Sequence, residues 1–189
     1  MKVTLGISNR HVHLTEETYK ILFNNEPLEK VKDLKQPGQF ASNKFVTLIN
    51  DDRKIEKVRV LGPLRNYNQV EISRTDSYHL KLNPPIKSSG DLKDALPITL
   101  VGSQGIAYLE NACIIANRHI HLTKEDLEKY NLQNKSCVKI KVMGEKGGIL
   151  DNVYLKVQDD SSLELHLDSD DGNAFNLKTG DKLEVIDTE

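Results

Sequence analysis

An internal repeat is the feature that most constrains how this chain can fold. Residues 8–17 read SNRHVHLTEE and residues 116–125 read ANRHIHLTKE, so the pattern Asn-Arg-His-x-His-Leu-Thr occurs twice. Histidine is scarce, with six residues among 189 in all, and chance is a poor explanation for two such units. Self-similarity of this kind indicates two related modules, each beginning near its own copy of the motif.

Each copy of the motif lies in the same local pattern. Apolar residues alternate before it, as at Val3, Leu5 and Ile7 in the first copy, which is typical of a β-strand. Thr15 and Thr123 then precede acidic residues and a helical pattern, and threonine is a good helix N-cap. We therefore expect a strand, the His-x-His unit and a short capped helix in each module.

Most of the remaining chain has a strand-like pattern. Stretches such as FVTLIN, KVRVLG, ITLVG, CVKIKVMG and KLEVID alternate apolar and polar residues or carry β-branched side chains. Turn sequences rich in glycine, proline, asparagine and aspartate separate them. Many short strands with few helices predict a mainly β fold of two small barrels or sandwiches, with short capping α-helices.

The charges of the chain nearly cancel, with 26 basic and 28 acidic residues and a net charge of −2. No polybasic stretch is present, so we expect no nucleic-acid partner. No run of about 18 apolar residues exists, so we expect no membrane partner. Two cysteines, Cys113 and Cys137, cannot build a disulfide framework, which favours a reducing cytoplasm. The first residues carry no apolar leader, so we expect no targeting peptide.

The two His-x-His units are the strongest chemical signal. Side chains two apart on a strand point to the same face, so His11 and His13 can reach one centre, and so can His119 and His121. Imidazole is the commonest protein ligand for metals. The spacing indicates one metal per pair, or a two-metal site if the modules face each other. A duplicated strand with structural histidines is the alternative.

A catalytic zinc usually takes three protein ligands, so each pair needs one more. His166 lies on a predicted strand, with Glu164 two positions before it and Asp168 two positions after it. Glu71 lies mid-strand between apolar neighbours. Either residue alone fits a solvent-facing strand position as well. His79 is interpreted as a surface or structural residue.

Arginines supply a candidate anion site. Arg59, Arg65 and Arg74 bracket the stretch RVLGPLRNYNQVEISR, in which Arg65 follows a Gly-Pro turn. Guanidinium groups bind phosphate through two parallel hydrogen bonds. Arg10 and Arg118, beside the histidines, are further candidates, and ion pairs with carboxylates are the alternative. Glycine-rich phosphate loops and the nucleophile elbow G-x-S-x-G are absent from the sequence, so metal ions are expected to carry any catalysis.

Together these motifs resemble those of the PduL-type phosphate acyltransferases, also called phosphotransacylases or phosphate propanoyltransferases. The matching stretches follow the family's order from end to end of the chain: SNRHVHLT, QPGQFA, VRVLGPLRNYNQVEISRTD, SSGD, GSQGI, ANRHIHLT and HLDSDDGNAF. The doubled NRHxHL together with LGPxR and QVEIS is specific. The chain departs from the family pattern at Lys87, where an arginine is usual, and at Gln104, where a small residue is usual.

The resemblance implies two β-barrels capped by short helices. The N-terminal strand is expected to join the C-terminal half, so that residues 1–9 and 117–189 form one barrel. Residues 10–116 are expected to form the other, with inserted loop and helix segments. The N-terminal extension that targets some relatives to microcompartments is not seen, which favours a cytoplasmic enzyme. A homodimer is expected only from the general frequency of two-fold oligomers.

The resemblance also implies an activity and a site. The activity is reversible transfer of a short acyl group, acetyl or propionyl, between coenzyme A and inorganic phosphate, which gives acyl phosphate and coenzyme A. Two zinc ions are expected, and their implied ligands are His11, His13 and Glu71 for one and His119, His121 and His166 for the other. Arg65 is expected to handle phosphate. The residues implied near coenzyme A are Ser8, Arg59, Leu61, His166 and Asn173. A lysine upstream of QPGQFA is also implied, and the match leaves the choice between Lys32 and Lys35 open.

Three other classes of protein stay open on the residues alone. His11-x-His13 followed by Glu17 imitates part of a cupin metal motif, although the flanking glycines do not fit. A di-zinc hydrolase of thioesters or phosphoesters would use an aspartate such as Asp168 or Asp170 to bridge its metals. A non-catalytic metal-binding module would bind zinc without turnover.

Overall fold

Strands dominate the chain in the computed structural model, which describes residues 1–186, and the predicted mainly β class is confirmed. The strands are β1 (Lys2–Ser8), β2 (His11–His13), β3 (Lys30–Asp33), β4 (Phe40–Asn50), β5 (Arg53–Gly62), β6 (Gln69–Glu71), β7 (Ile86–Lys87), β8 (Leu96–Val101), β9 (Ile106–Ala116), β10 (His119–Leu122), β11 (Cys137–Val142), β12 (Gly148–Val157), β13 (Glu164–Asp168) and β14 (Lys182–Ile186). The helices are α1 (Glu16–Phe23), α2 (Arg74–His79), α3 (Lys124–Lys129) and α4 (Ser169–Ala174). None of these helices is long and apolar enough to span a membrane.

The chain divides into two compact units, each with its own apolar core. One unit, the C-terminal barrel, comprises Met1–Ser8, Lys35–Pro37 and the chain from Asn117 onward. Its six strands close in the order β1-β13-β10-β12-β11-β14. Strand β1 runs parallel to β13 and antiparallel to β14, so the N-terminal strand completes this barrel.

The other unit, the central barrel, comprises Asn9–Leu34 and Gly38–Ala116. Its strands follow the order β4-β5-β2-β6-β9, and β8 closes the ring because it pairs with both β4 and β9. Strand β3 pairs with β4, and β7 pairs with β9. The core is filled by β-branched residues and leucines that are fully buried, among them Val12, Leu48 and Val60.

The sequence repeat occupies the same position in each barrel. Strand β2 lies between parallel β5 and antiparallel β6, and β10 lies between parallel β12 and antiparallel β13. The predicted threonine caps follow both strands. Thr15 accepts a hydrogen bond from the backbone N–H of Thr18, and Thr123 forms a reciprocal capping box with Asp126. The predicted succession of His-x-His strand and capped helix is therefore confirmed.

A second pair of helices, α2 and α4, has no counterpart in the sequence prediction. They follow β6 and β13, and their caps Ser73 and Asp168 accept hydrogen bonds from the backbone N–H groups of Asp76 and Asp171. The six residues of α2 and the six of α4 are mostly polar, so neither stretch shows a 3.6-residue apolar period. The structural repeat therefore extends beyond the repeated motif, to a neighbouring strand and a short helix.

Candidate metal centres

The repeated motif builds a histidine pair in the same way in both barrels. The Nδ1 atom of the first histidine lies 2.8 Å from the backbone carbonyl oxygen two residues earlier, Asn9 for His11 and Asn117 for His119. This bond places the proton on Nδ1 and makes Nε2 the nitrogen that can ligate a metal. The residue between the two histidines is fully buried in the core of each barrel, so strand alternation turns both imidazoles away from that core.

The arginine of each motif copy forms an ion pair with the helix that follows the neighbouring strand. Arg118 donates hydrogen bonds of 2.9 and 2.7 Å to the two carboxylate oxygens of Asp171, and these bonds raise the pKa of Arg118. Arg10 donates a matching bond of 2.7 Å to Asp76. Asp76 and Asp171 each hold the third position of their helix. The ion-pair alternative therefore replaces the hypothesis that these arginines bind an anion.

Replacing Arg118 by alanine should lower the free energy of unfolding by about 1 kcal/mol, because it removes a bidentate, partly exposed ion pair. In a chain of this size the melting temperature should fall by about 2–4 °C. Thermal unfolding followed by circular dichroism measures this shift. Lys124→Ala is the matched control, since its ion pair with Asp159 is exposed at the surface, and its melting temperature should equal that of the parent. Equal melting temperatures for both variants would show that the ion pair of Arg118 with Asp171 does not stabilise the fold.

The first cluster lies in the central barrel and consists of His11, His13 and Glu71. His11 faces Glu71 across the β2–β6 register, and His11 Nε2 lies 3.5 Å from Glu71 Oε2. One potential ligand atom from each of the three side chains lies within 4.8 Å of the others, and all three residues are buried. Burial alone would lower the pKa of His11, but the charge and hydrogen bond of Glu71 raise it. The cluster therefore favours a positive charge at its centre.

The second cluster lies in the C-terminal barrel and consists of His119, His121 and His166. His119 faces His166 across the β10–β13 register, and the Nε2 atoms of His119 and His121 lie 3.2 Å apart. The three side chains again bring one potential ligand atom each within 4.8 Å. Burial and the neighbouring His166 and His119 lower the pKa of His121 to about 2. It is therefore neutral, which is the form of imidazole that binds a metal.

The distances within both clusters fit a metal ion. For zinc–ligand bonds of about 2.0–2.1 Å, two ligand atoms of a tetrahedral site lie about 3.3–3.4 Å apart. The observed separations are 3.2 Å between His119 and His121 and 3.5 Å between His11 and Glu71. Imidazole and carboxylate suit zinc and several other transition metals. Each cluster also offers three ligands, the usual number in a catalytic zinc site.

A buried glutamine holds the third ligand of the first cluster. Gln69 lies opposite His13 in the β2–β6 register and donates from Nε2 to Glu71 Oε1 at 2.6 Å and to Ser89 Oγ at 2.9 Å. Its carbonyl oxygen accepts a 2.7 Å hydrogen bond from the backbone N–H of Gly90. Sequence analysis missed this residue. The sequence does contain a signal for this role, because Gln69 stands two residues before the ligand Glu71 in the stretch QVE.

A buried glutamate takes the corresponding place in the second cluster. Glu164 lies opposite His121 in the β10–β13 register, and its Oε2 atom lies 2.9 Å from His166 Nε2. Burial would raise the pKa of Glu164, but hydrogen bonds from His166 and Gln36 hold it below its ordinary value. Gln36 comes from a distant segment of the chain, and no local pattern connects it to the motif.

Arg65 carries the candidate anion site. Its guanidinium donates to Tyr67 Oη at 2.6 Å and to Gln39 Oε1 at 3.4 Å, which are neutral oxygens. Its backbone N–H donates a 2.8 Å bond to the carbonyl of Leu14, within the motif. The charge of Arg65 also lowers the pKa of His11, so it acts on the first cluster. No carboxylate among residues 1–186 pairs with it, and its charge is available to an anion.

Two residues expected near coenzyme A lie on β5 of the central barrel. The Arg59 guanidinium lies 4.3 Å from the centroid of the Phe45 ring and donates to the carbonyl of Ser42. Leu61 is half-buried on the same strand. Lys32, one of the lysines upstream of QPGQFA, is exposed on β3.

The other expected residues lie in the C-terminal barrel. Ser8 ends β1 opposite Asp168, and Asn173 is exposed in α4, where its carbonyl accepts a bond from Lys146. His166 belongs to the second cluster. Lys35 donates to the carbonyl of residue 163 at 3.3 Å and lies 3.9 Å from Glu164. The role of these residues toward coenzyme A stays a prediction.

Several residues considered for other roles lie outside the two clusters. Glu17 is exposed in the first turn of α1, outside the first cluster, so the cupin-like pattern is not formed. Asp168 caps α4 by accepting a bond from the backbone of the helix. His79 is an exposed residue bonded to the carbonyl of Lys54. Cys113 is fully buried and burial raises its pKa to about 12, which makes it a core residue and an unreactive thiol.

The two clusters define a β-barrel protein with a candidate metal centre in each barrel. Arg65 acts on one of the two centres. Comparison with known proteins identifies the family. The chain belongs to the phosphate propanoyltransferase family, whose family model matches residues 4–178.

Similar proteins support the same assignment. The phosphate propanoyltransferase of Thermotoga maritima is 44% identical over 187 residues, which cover 98% of this chain and 89% of the relative. That of Priestia megaterium is 46% identical over 180 residues, covering 95% and 83%. That of Clostridioides difficile is 42% identical over 185 residues, covering 97% and 88%. The family and the acyltransferase class predicted from the sequence are confirmed.

Proposed function

We propose that this protein is a phosphate acyltransferase that moves a short acyl group reversibly between coenzyme A and inorganic phosphate. The observation that carries the proposal is the arrangement at the repeated motif. In a member of this family, the motif assembles a three-ligand cluster in each barrel, and Arg65 acts on one of them. The cytoplasmic location expected from the two unpaired cysteines stays a prediction.

The two clusters would hold the metal ions of the reaction. His11, His13 and Glu71 would bind one zinc. His119, His121 and His166 would bind the other. Bound zinc supplies positive charge that polarises a carbonyl and stabilises a thiolate leaving group. Histidines committed to a metal cannot also act as general bases, so we assign none of them that role.

Arg65 would bind and orient phosphate. Its guanidinium is held by the neutral oxygens of Tyr67 and Gln39, so it can offer a planar pair of N–H donors to the anion. Holding phosphate beside the thioester converts a bimolecular encounter into an attack within one complex. A phosphate oxygen would then form the bond to the acyl carbon as the carbon–sulfur bond breaks and coenzyme A leaves as its thiolate.

Direct transfer also agrees with the placement of the two cysteines. Cys113 is buried with a raised pKa, and Cys137 is half-buried on β11. We therefore propose no acyl-enzyme intermediate. The residues proposed to contact coenzyme A are those named by the family resemblance: Ser8, Arg59, Leu61, His166 and Asn173.

Release of free coenzyme A from acetyl-CoA and from propionyl-CoA, read with a thiol reagent, tests the proposal. We expect release that depends on added phosphate and on metal, with formation of acyl phosphate. Release without phosphate would instead indicate a thioesterase, and no release from metal-loaded protein with either substrate would indicate a non-catalytic metal-binding module. The ratio of the two rates reports acyl preference, because one methylene is worth about 1–3 kcal/mol in a pocket.

A further inference from the structure

His166 differs from the first histidine of each motif in the ring nitrogen that it commits to the protein. His11 and His119 use Nδ1 for a backbone carbonyl, whereas His166 places Nε2 2.9 Å from Glu164 Oε2. A metal-binding histidine typically donates from one ring nitrogen to a carboxylate or carbonyl and ligates through the other. By this rule, Nδ1 is the ring nitrogen of His166 that is left to ligate a metal.

We propose that Glu164 is a positioning residue that fixes His166 as an Nδ1 ligand, and that Gln36 fixes Glu164 in turn. The inference rests on the metal centres of the proposed function. Glu164 is 6% exposed and Gln36 is 4% exposed. Gln36 Nε2 donates to Glu164 Oε2 at 3.2 Å and to the carbonyl of Ser162 at 3.0 Å. Its Oε1 accepts a 3.2 Å bond from the Ser162 backbone. The amide is therefore held at both ends and the carboxylate is held by it.

The neighbouring strand leaves room for this carboxylate. Gly6 on β1 lies opposite His166 in the register. A Cβ atom added at Gly6 would lie 2.9 Å from Glu164 Oε1 and 3.2 Å from His166 Cδ2, so these side chains would have to shift to accommodate it. Glycine at this position therefore lets the carboxylate and the imidazole edge keep the positions that they have in the structure.

The first cluster supplies an internal comparison. Its third ligand is the carboxylate Glu71, and the residue at the matching register position is Gln69, which donates an N–H to it. The third ligand of the second cluster is an imidazole, and the matching residue is Glu164, which accepts an N–H from it. The carboxylate ligand thus contacts a hydrogen-bond donor, and the imidazole ligand contacts an acceptor. Close packing alone would not require glutamine in one barrel and glutamate in the other.

Zinc affinity of the full-length protein, measured by competition with a chelator, tests the role of Glu164. Glu164→Ala should weaken one of the two zinc sites by about 10–100-fold. Glu164→Gln should weaken it less, because the amide oxygen can still accept from His166. In a His119→Ala background, whose second cluster is already broken, adding Glu164→Ala should change the remaining zinc affinity by less than about twofold.

A spectroscopic measurement reports the ligating atom directly. Long-range ¹H–¹⁵N correlation spectra of the zinc-loaded protein should show His166 with a metal-bound Nδ1 and a protonated Nε2. Glu184→Ala, at an exposed position on β14 of the same barrel, is the matched control and should leave both zinc sites at parent affinity. If Glu164→Ala does not fold, Gln36→Ala takes its place and should shift the same zinc site in the same direction by a smaller factor.

Four outcomes decide the matter. A selective weakening that vanishes in the His119→Ala background, with metal on Nδ1, supports the inference. Unchanged zinc affinity in the Glu164 variants, or metal on Nε2 of His166, overturns it. A parent protein that binds no zinc overturns both this inference and the proposed metal centres. If the zinc results hold but coenzyme A release does not depend on phosphate, the proposed function fails and the positioning role stands.

Discussion

Replacing Arg65 by alanine should remove most of the phosphate-dependent transfer. We expect kcat/KM for phosphate to fall about 100–1,000-fold, the loss typical of a donor aimed at charge in a reacting complex. The guanidinium has only neutral oxygens as partners, so no ion pair within residues 1–186 competes for its charge. The KM for acyl-CoA should change little. Initial rates of coenzyme A release, with phosphate varied in one series and acyl-CoA varied in another, measure both constants.

Two further variants isolate the effect of the guanidinium. Arg65→Lys keeps the charge but not the planar pair of donors, so its rate should lie between those of the parent and the alanine variant. Arg53→Ala removes an exposed arginine beside Asp52 and should leave the rate unchanged. The backbone bond from residue 65 to Leu14 does not depend on the side chain, so all three variants should fold. An alanine variant with the phosphate dependence of the parent would remove Arg65 from the proposed site.

The parts of the fold that the sequence predicts are those with local signals. Strand alternation and the caps Thr15 and Thr123 are readable within ten residues of the motif, and both are confirmed. The pairing of His11 with Glu71 depends on β6 lying beside β2. Alternation does not contain that long-range register, so the residues alone left Glu71 as a candidate. Gln36 reaches Glu164 from a segment far away in the chain, and no spacing rule connects them.

The structural repeat is longer than the sequence repeat. In the strand and short helix beyond the motif, different residue types form the same hydrogen bonds in the two barrels. The cap of the short helix is Ser73 in one barrel and Asp168 in the other. The stretches QVEISRTD and ELHLDSDD consequently show little identity. Both nevertheless place a ligand, a cap and an aspartate that pairs with the motif arginine. A search for identical residues detects only the repeated histidine motif. The structure shows that the neighbouring strand and its short helix are repeated as well.

Removing the third ligand of either cluster should have the largest effect of any single substitution. Glu71→Ala and His166→Ala should each reduce bound zinc from about two ions per chain to about one. Transfer activity should fall by more than about 1,000-fold, beyond the 10–100-fold typical of a residue that only supports a ligand. Metal analysis of the purified variants and the coenzyme A release assay measure the two effects on the same samples.

Stability supplies an independent readout of the same substitutions. A ligand present at about 1,000 times its dissociation constant stabilises the folded state by about 4 kcal/mol, so a chelator should lower the melting temperature of the parent. Each variant should lose part of that chelator-sensitive shift. His79→Ala and Glu56→Ala remove an exposed histidine and an exposed glutamate outside the clusters and should retain two zinc ions, the full shift and the parent rate. A variant that loses one zinc but keeps its transfer rate would show that this cluster stabilises its barrel without taking part in the reaction, and the chemistry would then belong to the other cluster alone.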